Sequence, residues 1–310
     1  MQSKNDPFLA MDFHQSEIMN TIASVNSPSH QALSLNGYQH EAAFRSAMAA
    51  TLAARELLLS YYQQALQIDE KDKAGLVTQA DRESESLMKA RLSKDFPTYD
   101  FLGEETHYLE GSPKFLAADS GVPRWILDPL DGTTNFVHGF AVFCISLALE
   151  VNGKIEIGII DCPALRETFC AVRGRGAFRN GKPIRVSQRI DVKQSLLATG
   201  FFADNVPSLN EQLKIFGQLV KCSRGVRRAG AAAYDLCMVA SGVFDLFWEK
   251  NLKPWDVAAG ALLVEEAGGK VSSYRGREFS LLHNSIIAGN PAVHHEVLDV
   301  IQPLLEVSTD

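Results

Sequence analysis

The chain has 310 residues, a formal net charge of −7 at pH 7 and a hydrophobic fraction of 46%. This length and apolar content allow one large domain or two modest ones, and the acidic balance argues against nucleic-acid binding over the whole surface. The five cysteines are odd in number and irregularly spaced, which indicates reduced thiols and argues against a disulfide framework.

The N-terminal part differs in composition from the rest. Residues 1 to about 36 are rich in Ser, Asn, Gln and His without sustained periodicity, so we predict a mobile N-terminal extension there. It lacks a basic segment followed by an apolar core, and no run of 18 apolar residues occurs in the chain. We therefore expect a cytoplasmic protein that does not enter the membrane.

Residues 37–190 are predicted to form an α+β domain. Apolar spacing indicates a helix from Tyr38 to about Gln67 and a second helix that follows Asp81 and ends before Pro97. From Phe101 to Val186, short β-prone runs alternate with turn signals such as Asn152-Gly153. This pattern favours an antiparallel sheet with helices packed against it.

Residues 191–310 are predicted to form a second, α/β domain. Strand patterns such as Ser195–Thr199 and Val243–Glu249 alternate with helical patterns such as Asn210–Lys221 and Val257–Ala267. We place the boundary between the two domains near residue 190.

The most informative segment runs from Trp125 to Asn135, where an apolar strand ends in Asp128 and Asp131. Side chains converge in crevices at strand ends. Pro129 fixes the backbone and Gly132 permits unusual conformations, so both acids can face one point. Two like charges held close together repel, and a divalent cation would remove that repulsion.

Two threonines follow this acidic segment. Thr133 and Thr134 stand where a helix could begin, as N-cap residues whose neighbouring amides would bind a phosphate. For the preceding segment, Asp128 to Gly132, an ordinary surface turn stays open as an alternative, because its residue types favour turns. A calcium loop of the EF-hand type is excluded, because the twelfth position counted from Asp128 is Gly139.

Further acids stand at predicted element boundaries. Glu104 and Glu105 follow a short apolar strand, and Asp256 and Asp81 adjoin predicted helices. Considered singly, each glutamate could be a solvated acid and each aspartate a helix cap.

Taken together, four segments in this order and at these separations carry a resemblance: Leu76–Asp81, Gly103–Thr106, Trp125–Phe136 and Pro254–Gly260. They resemble the inositol monophosphatase family, within the lithium-sensitive, metal-dependent phosphatases, and the likeness covers roughly residues 38 to 300. Bacterial members look most similar. The resemblance implies a layered αβαβα sandwich of mixed α+β and α/β class, with an antiparallel-sheet N-terminal half, a smaller α/β C-terminal half, and a homodimer.

The resemblance also implies two to three Mg²⁺ ions per active site. Glu104, Asp128 and the backbone carbonyl of Leu130 would hold the first ion, and Asp128, Asp131 and Asp256 the second. Glu104 would also help to hold a weaker third ion. Mg²⁺ suits this set because all the donors are oxygen.

The implied reaction is attack of a metal-activated water on phosphorus, with Thr133 oriented by Asp81 and Glu104 in the catalytic set. Gly132, Thr133 and Thr134, with Asp256 and Glu249, would bind the substrate. Glu249 could instead be a rim acid at a strand end. Thr133 is disfavoured as a nucleophile because its local motif holds no histidine or lysine to serve as a base.

The substrate implied by the resemblance is a small polyol phosphate, with inositol monophosphate first. The segment Gly132–Phe136 looks like the inositol-directed subgroup. Fructose-1,6-bisphosphatase is the alternative within the same superfamily. A different alternative is a regulatory protein that binds a transcription or ribosome-maturation complex, for which Arg227-Arg228 is the candidate contact.

Overall fold

The computed structural model describes residues 33–64, 68–71, 75–110, 121–201 and 206–305. The predicted mobile extension lies outside these residues except at its end, where Leu33 and Leu35 are buried. None of the helices in these ranges has the length and apolar character needed to cross a membrane. All five cysteines fall within them as free thiols, and only Cys222 is not buried.

The first elements are two helices separated by a hairpin. They are α1 (Glu41–Tyr61), β1 (Ile68–Lys71), β2 (Gly75–Thr78) and α2 (Gln79–Asp95), with β1 antiparallel to β2. The prediction for α1 was too long at both ends, because Tyr38 lies in a turn and the chain leaves the helix at Tyr62, whose backbone is extended. The hairpin was not predicted.

The first half contains a seven-stranded sheet in the order β3 to β9. The elements are β3 (Asp100–Gly103), α3 (Glu104–Glu110), β4 (Arg124–Asp131), α4 (Thr133–Val137), β5 (Cys144–Val151), β6 (Lys154–Cys162), β7 (Glu167–Val172), β8 (Gly176–Arg179) and β9 (Lys182–Pro183). All neighbours pair antiparallel except β3, which is parallel to β4. The predicted antiparallel sheet is thus confirmed apart from its first pair.

The second half contains a five-stranded mixed sheet in the order β11-β10-β12-β14-β13. The elements are β10 (Leu196–Thr199), α5 (Val206–Cys222), β11 (Gly225–Arg227), α6 (Ala232–Ala240), β12 (Leu246–Lys250), α7 (Pro254–Glu266), β13 (Lys270–Ser272), β14 (Ser285–Gly289) and α8 (Pro291–Ile301). Strand β10 is parallel to β11 and β12, whereas β14 is antiparallel to β12 and β13.

Three apolar cores alternate with the two sheets. Helices α1 and α2 cover one face of the seven-stranded sheet, helices α6 and α7 fill the space between the sheets, and helices α5 and α8 cover the outer face of the five-stranded sheet. This order is the predicted αβαβα sandwich. The chain changes sheet between Pro183 and Leu196, and the domain boundary near residue 190 stays a prediction.

Candidate active site

The end of β4 brings Asp128 and Asp131 together. The pairing of β4 with β5 shifts register between these two residues, which places Asp131 opposite Cys144. The amide of Leu130 donates to Asp128 Oδ1 at 2.9 Å, and Asp128 is 2% exposed. The strand therefore continues through both acids, and the irregularity of the register accommodates them.

Asp131 connects the first sheet to the second half of the chain. Its Oδ2 accepts the amide of Ala233, in α6, at 2.7 Å and the thiol of Cys144 at 3.6 Å. Both donors reach the same carboxylate oxygen, so the orientation of this side chain is fixed from two elements.

Asp81 and Asp256 both help to cap helices, but from the third helical position: the N-cap residues are Thr78 and Lys253, so neither aspartate is the N-cap that the simpler interpretation predicted. Asp81 Oδ2 accepts the amide of Thr78 at 2.8 Å and its hydroxyl at 2.6 Å. Asp256 Oδ2 accepts the amide of Lys253 at 2.7 Å. Capping does not exclude a second role, because Asp81 Oδ1 accepts the hydroxyl of Thr133 at 2.9 Å.

Helix α4 does not begin as predicted. Its N-cap is Gly132, at φ +90°, and neither threonine has that position. Thr133 Oγ1 lies 2.9 Å from Asp81 Oδ1 and 3.0 Å from the carbonyl of Leu130, so its hydroxyl is engaged away from the helix amides. The helix has only 5 residues and Thr134 is exposed. Phosphate binding by Gly132, Thr133 and Thr134 stays a prediction.

The first turn of α3, which begins at Glu104, is held in place by a buried acid that was not among the predicted site residues. Glu85 is 3% exposed and accepts the amides of Glu105 at 2.8 Å and Thr106 at 2.7 Å, together with the Thr106 hydroxyl at 2.5 Å. It lies four residues after Asp81 on α2, and residues so spaced share a helix face. That spacing was the available signal.

The acids repel one another. Burial raises the pKa of Asp128 well above its usual range, and the charges of Glu104, Asp131 and Asp256 raise it further. Burial raises the pKa of Asp131 to about 7 against the stabilising amide of Ala233. Burial and then the charge of Asp131 raise the pKa of Asp256 to about 7.

The donor set fits a hard cation in type and charge, because the interacting groups are carboxylates whose repulsion a cation would relieve. In their present rotamers, however, no three His, Cys, Asp or Glu side chains of the described residues converge closely enough to hold a metal ion.

A cavity of about 130 Å³ adjoins these acids. Asp131 and Asp256 form part of its wall, and Glu249, from β12, is 6% exposed within it. The cavity is lined by Asp131, Thr199, Gly200, Phe201, Arg228, Gly230, Ala231, Ala232, Asp235, Glu249, Leu252 and Asp256. It therefore offers space for a small polar molecule beside the carboxylates.

Comparison with known proteins identifies the family. A sequence model described as the inositol monophosphatase family matches residues 39–305. The chain belongs to this family. It is 45% identical over 245 residues to Nus factor SuhB of Pseudomonas aeruginosa, covering 78% of this chain and 89% of that relative. It is 41% identical over 245 residues to inositol-1-monophosphatase of Mesorhizobium japonicum, covering 77% of this chain and 87% of that one.

Solved structures of the inositol monophosphatase family have the same fold. The extragenic suppressor protein SuhB of Bartonella henselae aligns with a TM-score of 0.78 at 39% identity, over 84% of this chain and 99% of that one. Inositol monophosphatase of Anabaena aligns with a TM-score of 0.72 at 33% identity, over 86% and 98%.

In this member of the inositol monophosphatase family, several of the predicted site residues interact with one another. Glu104, Asp131 and Asp256 all act on the titration of Asp128, and Asp81 contacts Thr133 directly. The predicted ligand carbonyl of Leu130 faces the Thr133 hydroxyl. Three residues outside the predicted set complete the arrangement: Glu85, Cys144 and Asp235. Their roles depend on partners distant in the sequence, so no local motif identified them.

Proposed function

We propose that this protein is a Mg²⁺-dependent phosphomonoesterase that hydrolyses inositol monophosphate to inositol and phosphate. The observation that carries the proposal is the mutual repulsion of Glu104, Asp128, Asp131 and Asp256, of which the two last line the cavity. Membership of the inositol monophosphatase family supports the reaction class. Relatives named inositol-1-monophosphatase, at 41% identity, support the substrate.

The proposed ligand set is the one that the family resemblance implies. Glu104, Asp128 and the Leu130 carbonyl would hold one Mg²⁺, Asp128, Asp131 and Asp256 a second, and Glu104 would contribute to a third. When bound, Mg²⁺ supplies Lewis-acid activation of water and charge stabilisation at the phosphate and leaving-group oxygens.

Thr133 and Asp81 would orient the attacking water. Thr78 holds Asp81 Oδ2, so that Oδ1 remains directed at the Thr133 hydroxyl. Because that hydroxyl donates its single proton to Asp81, its lone pairs can accept a hydrogen bond from the water. Positioning of this kind needs no covalent step at Thr133.

The remaining contacts would divide between the two ends of the substrate. The segment Gly132–Thr134 would contact the phosphate, and Asp256 and Glu249 would contact the polyol. Glu249 is buried at the cavity wall, where a carboxyl oxygen can accept hydrogen bonds from hydroxyl groups.

A substrate panel tests the proposal. We expect inositol 1-phosphate to have a higher kcat/KM than fructose 1,6-bisphosphate, histidinol phosphate and 3′-phosphoadenosine 5′-phosphate in the presence of Mg²⁺. We also expect loss of activity with EDTA, recovery with Mg²⁺, and inhibition by millimolar Li⁺. If inositol 1-phosphate ranked last, the substrate assignment would be wrong, and if fructose 1,6-bisphosphate ranked first, the alternative activity would replace it.

Asp128→Asn tests the metal-binding acids directly. We expect kcat to fall about 1,000-fold or more, since the variant removes a charge shared by two proposed ions. Asp191→Asn is the matched control: Asp191 accepts the amide of Lys193 at 2.8 Å away from the cavity. Equal kcat values for the two variants would contradict the proposed ligand set.

A second candidate function is favoured by the 45% identity to a relative named Nus factor SuhB. We propose that the chain also binds a transcription complex, with the exposed Arg227 in the contact surface. Asp128→Asn should then lose phosphatase activity and keep this binding, whereas Arg227→Glu should do the reverse. If Asp128→Asn lost the binding as well as the phosphatase activity, an independent binding role would be contradicted.

The homodimer and the cytoplasmic location belong to the same proposal. Light scattering should give twice the chain mass, and cell fractionation should recover the protein with the cytoplasm. A monomeric mass across the micromolar range would contradict the dimer.

A further inference from the structure

Asp235 is a buried acid that lines the cavity and that the proposed reaction does not use. It lies in the first turn of α6 and is 1% exposed. Its Oδ1 has no hydrogen-bond partner within the described part of the chain. Because an unpaired buried oxygen is destabilising, it indicates a partner that the polypeptide itself does not provide. Asp235 borders the cavity, so a molecule there could supply that partner.

Asp235 and Glu249 are electrostatic neighbours. After burial, the charge of Asp235 is the largest influence on the pKa of Glu249 and raises it, whereas Arg228 lowers the pKa of both acids. Arg228 is also a cavity-lining residue. Two acids from different elements, α6 and β12, thus stand close together with one guanidinium group nearby.

The charges of the cavity wall indicate what it can accept. Its charged lining residues are Asp131, Asp235, Glu249 and Asp256 with one cation, Arg228. If Asp131 and Asp256 are engaged with Mg²⁺, the part that remains has two acids against Arg228. A second phosphate there would find only one cation among two acids, so this part of the wall lacks the net positive charge that a phosphate needs. An ammonium group is not required, because Arg228 already supplies a cation. Uncharged hydroxyl groups can donate hydrogen bonds to the carboxyl oxygens and bring no additional charge into the cavity.

We infer that Asp235 and Glu249 form one subsite for the hydroxyl groups of the leaving polyol, that Asp235 determines specificity there, and that the subsite excludes a second phosphate. This inference rests on the proposed phosphatase function and adds a specificity residue to it. The unpaired oxygen of Asp235 accepts one substrate hydroxyl, and Glu249 accepts another.

A purely structural role for Asp235 makes different predictions. An acid in the first turn of a helix stabilises the helix dipole, and its removal would lower stability without distinguishing among substrates. The test must therefore compare substrates that differ by one hydroxyl group, since only a direct contact distinguishes them.

The experiment uses inositol 1-phosphate and its analogues that each lack one hydroxyl group. For the wild type, we expect one analogue to lose about 10- to 100-fold in kcat/KM through the Asp235 contact. Asp235→Ala should raise KM for inositol 1-phosphate by a similar factor with kcat little changed. With Asp235→Ala, kcat/KM for the same analogue should be less than about threefold below that for inositol 1-phosphate, because the carboxyl group that contacts the missing hydroxyl is already absent.

Two variants control for folding and charge. Asp235→Asn keeps the shape of the side chain, and we expect it to raise the relative kcat/KM for fructose 1,6-bisphosphate because it removes a negative charge. Asp299→Asn makes the same substitution at an exposed position of α8, where Asp299 pairs with His295, and should leave every ratio unchanged. Equal hydroxyl penalties in the wild type and Asp235→Ala would overturn the inference.

Binding of myo-inositol, measured by NMR, separates this inference from the proposed function. If the wild type hydrolyses inositol 1-phosphate but Asp235→Ala binds inositol equally well, only the subsite is wrong. If the wild type hydrolyses none of the phosphates yet Asp235→Ala loses inositol binding, only the reaction is wrong. A preference for histidinol phosphate that disappears in Asp235→Asn would identify a cation subsite and overturn the hydroxyl assignment.

Discussion

At the scale of single residues, Asp81 serves two partners with its two oxygens. Oδ2 caps α2 through Thr78, and Oδ1 accepts the Thr133 hydroxyl. Asn has a single acceptor oxygen, so Asp81→Asn can keep only one of these arrangements. We expect kcat for inositol 1-phosphate to fall at least about 100-fold, by steady-state kinetics, and stability to fall about 1 kcal/mol. Asp191→Asn should show no comparable loss of kcat, and a kcat near wild type in Asp81→Asn would contradict the orienting role.

Gly103 is confined by the carboxyl group of Glu85. A Cβ atom at Gly103 would lie 2.5 Å from Glu85 Cδ, too close for any real contact. Gly103→Ala should displace Glu85 from the amides of Glu105 and Thr106 and so move Glu104. We expect a stability loss of about 1–3 kcal/mol by urea denaturation and an increase in the Mg²⁺ concentration that half-activates the enzyme.

The control for this prediction is Gly217→Ala. Gly217 lies in α5 with open space around it, so alanine there should be neutral or slightly stabilising. If Gly103→Ala kept wild-type Mg²⁺ activation, Glu85 would be a capping residue without influence on Glu104.

The sequence could predict the site acids that lie in short motifs, but not those defined by distant partners. Asp128 and Asp131 share one strand end with Pro129 and Gly132, and these residue types predict a turn from the local sequence alone. Glu85 could not be assigned because its acceptor role depends on amides 20 and 21 positions away. Asp235 likewise has a sequence setting typical of any first helical turn, and only the cavity distinguishes it.

At the scale of elements, a buried ion pair joins α1 to the first sheet. Arg55 Nε donates to Asp161 Oδ2 at 2.9 Å, and Nη2 donates to Thr168 Oγ1 at 2.7 Å. Arg55 is 5% exposed and Asp161 is fully buried. Arg55→Met would leave the Asp161 charge unpaired, and we expect a loss of about 3–5 kcal/mol in urea denaturation.

The double variant Arg55→Met/Asp161→Leu should recover much of that loss, because apolar replacement of both partners removes the isolated charge. If the double variant were less stable than the single one, packing would explain the cost better than charge burial.

His294 connects α8 to β13 and gives this contact a pH dependence. Its Nε2 lies 2.9 Å from Ser272 Oγ, and burial lowers its pKa to about 4 from an ordinary value of 6.5. Below pH 6.5, His294 therefore binds a proton in the unfolded chain but remains neutral in the folded chain until the pH approaches 4. This contribution to stability is complete above pH 6.5 and is lost as the pH falls toward 4.

We expect the free energy of unfolding to fall by about 2 kcal/mol more in the wild type than in His294→Gln between pH 7.5 and pH 5. Other acids titrate in both proteins and cancel in this comparison. Equal pH dependence in the two proteins would mean that folding does not lower the pKa of His294.

Periodicity predicted element types better than element ends and pairings. The helix predicted to Gln67 stops at Tyr61, because a hairpin that apolar spacing does not reveal follows it. The parallel pairing of β3 with β4 was missed, because pairing direction depends on how the intervening chain crosses over. Thr133 was expected to cap α4, but its hydroxyl instead contacts Asp81, 52 residues away.

At the scale of the whole molecule, the repelling acids make folding depend on divalent ions. Without Mg²⁺, Asp128→Asn should be more stable than the wild type, because it removes a buried charge that opposes three others. At Mg²⁺ concentrations about 100 times Kd, the wild type should gain about 2.7 kcal/mol and Asp128→Asn much less. Thermal unfolding with and without Mg²⁺ measures both, and identical Mg²⁺ responses would contradict the shared site.

The layer order of the molecule was available only through the resemblance. Alternating helices and strands indicate an α/β half but do not specify which helices lie between two sheets. Helix α7 is apolar on nearly every face, with Trp255, Val257 and Leu262 all buried, and this accords with a position between layers. The amphipathic pattern alone would not have separated α7 from any other buried helix.

The position of α7 bears on the order in which the protein is made. This helix completes the core on the inner face of the seven-stranded sheet, yet it lies about seventy residues after the last strand of that sheet. On the ribosome, the N-terminal strands would therefore emerge well before the helix that covers them. A nascent chain stalled before residue 254 would expose this apolar face to chaperones, and synthesis of α7 would deliver Asp256 and close that face in the same step.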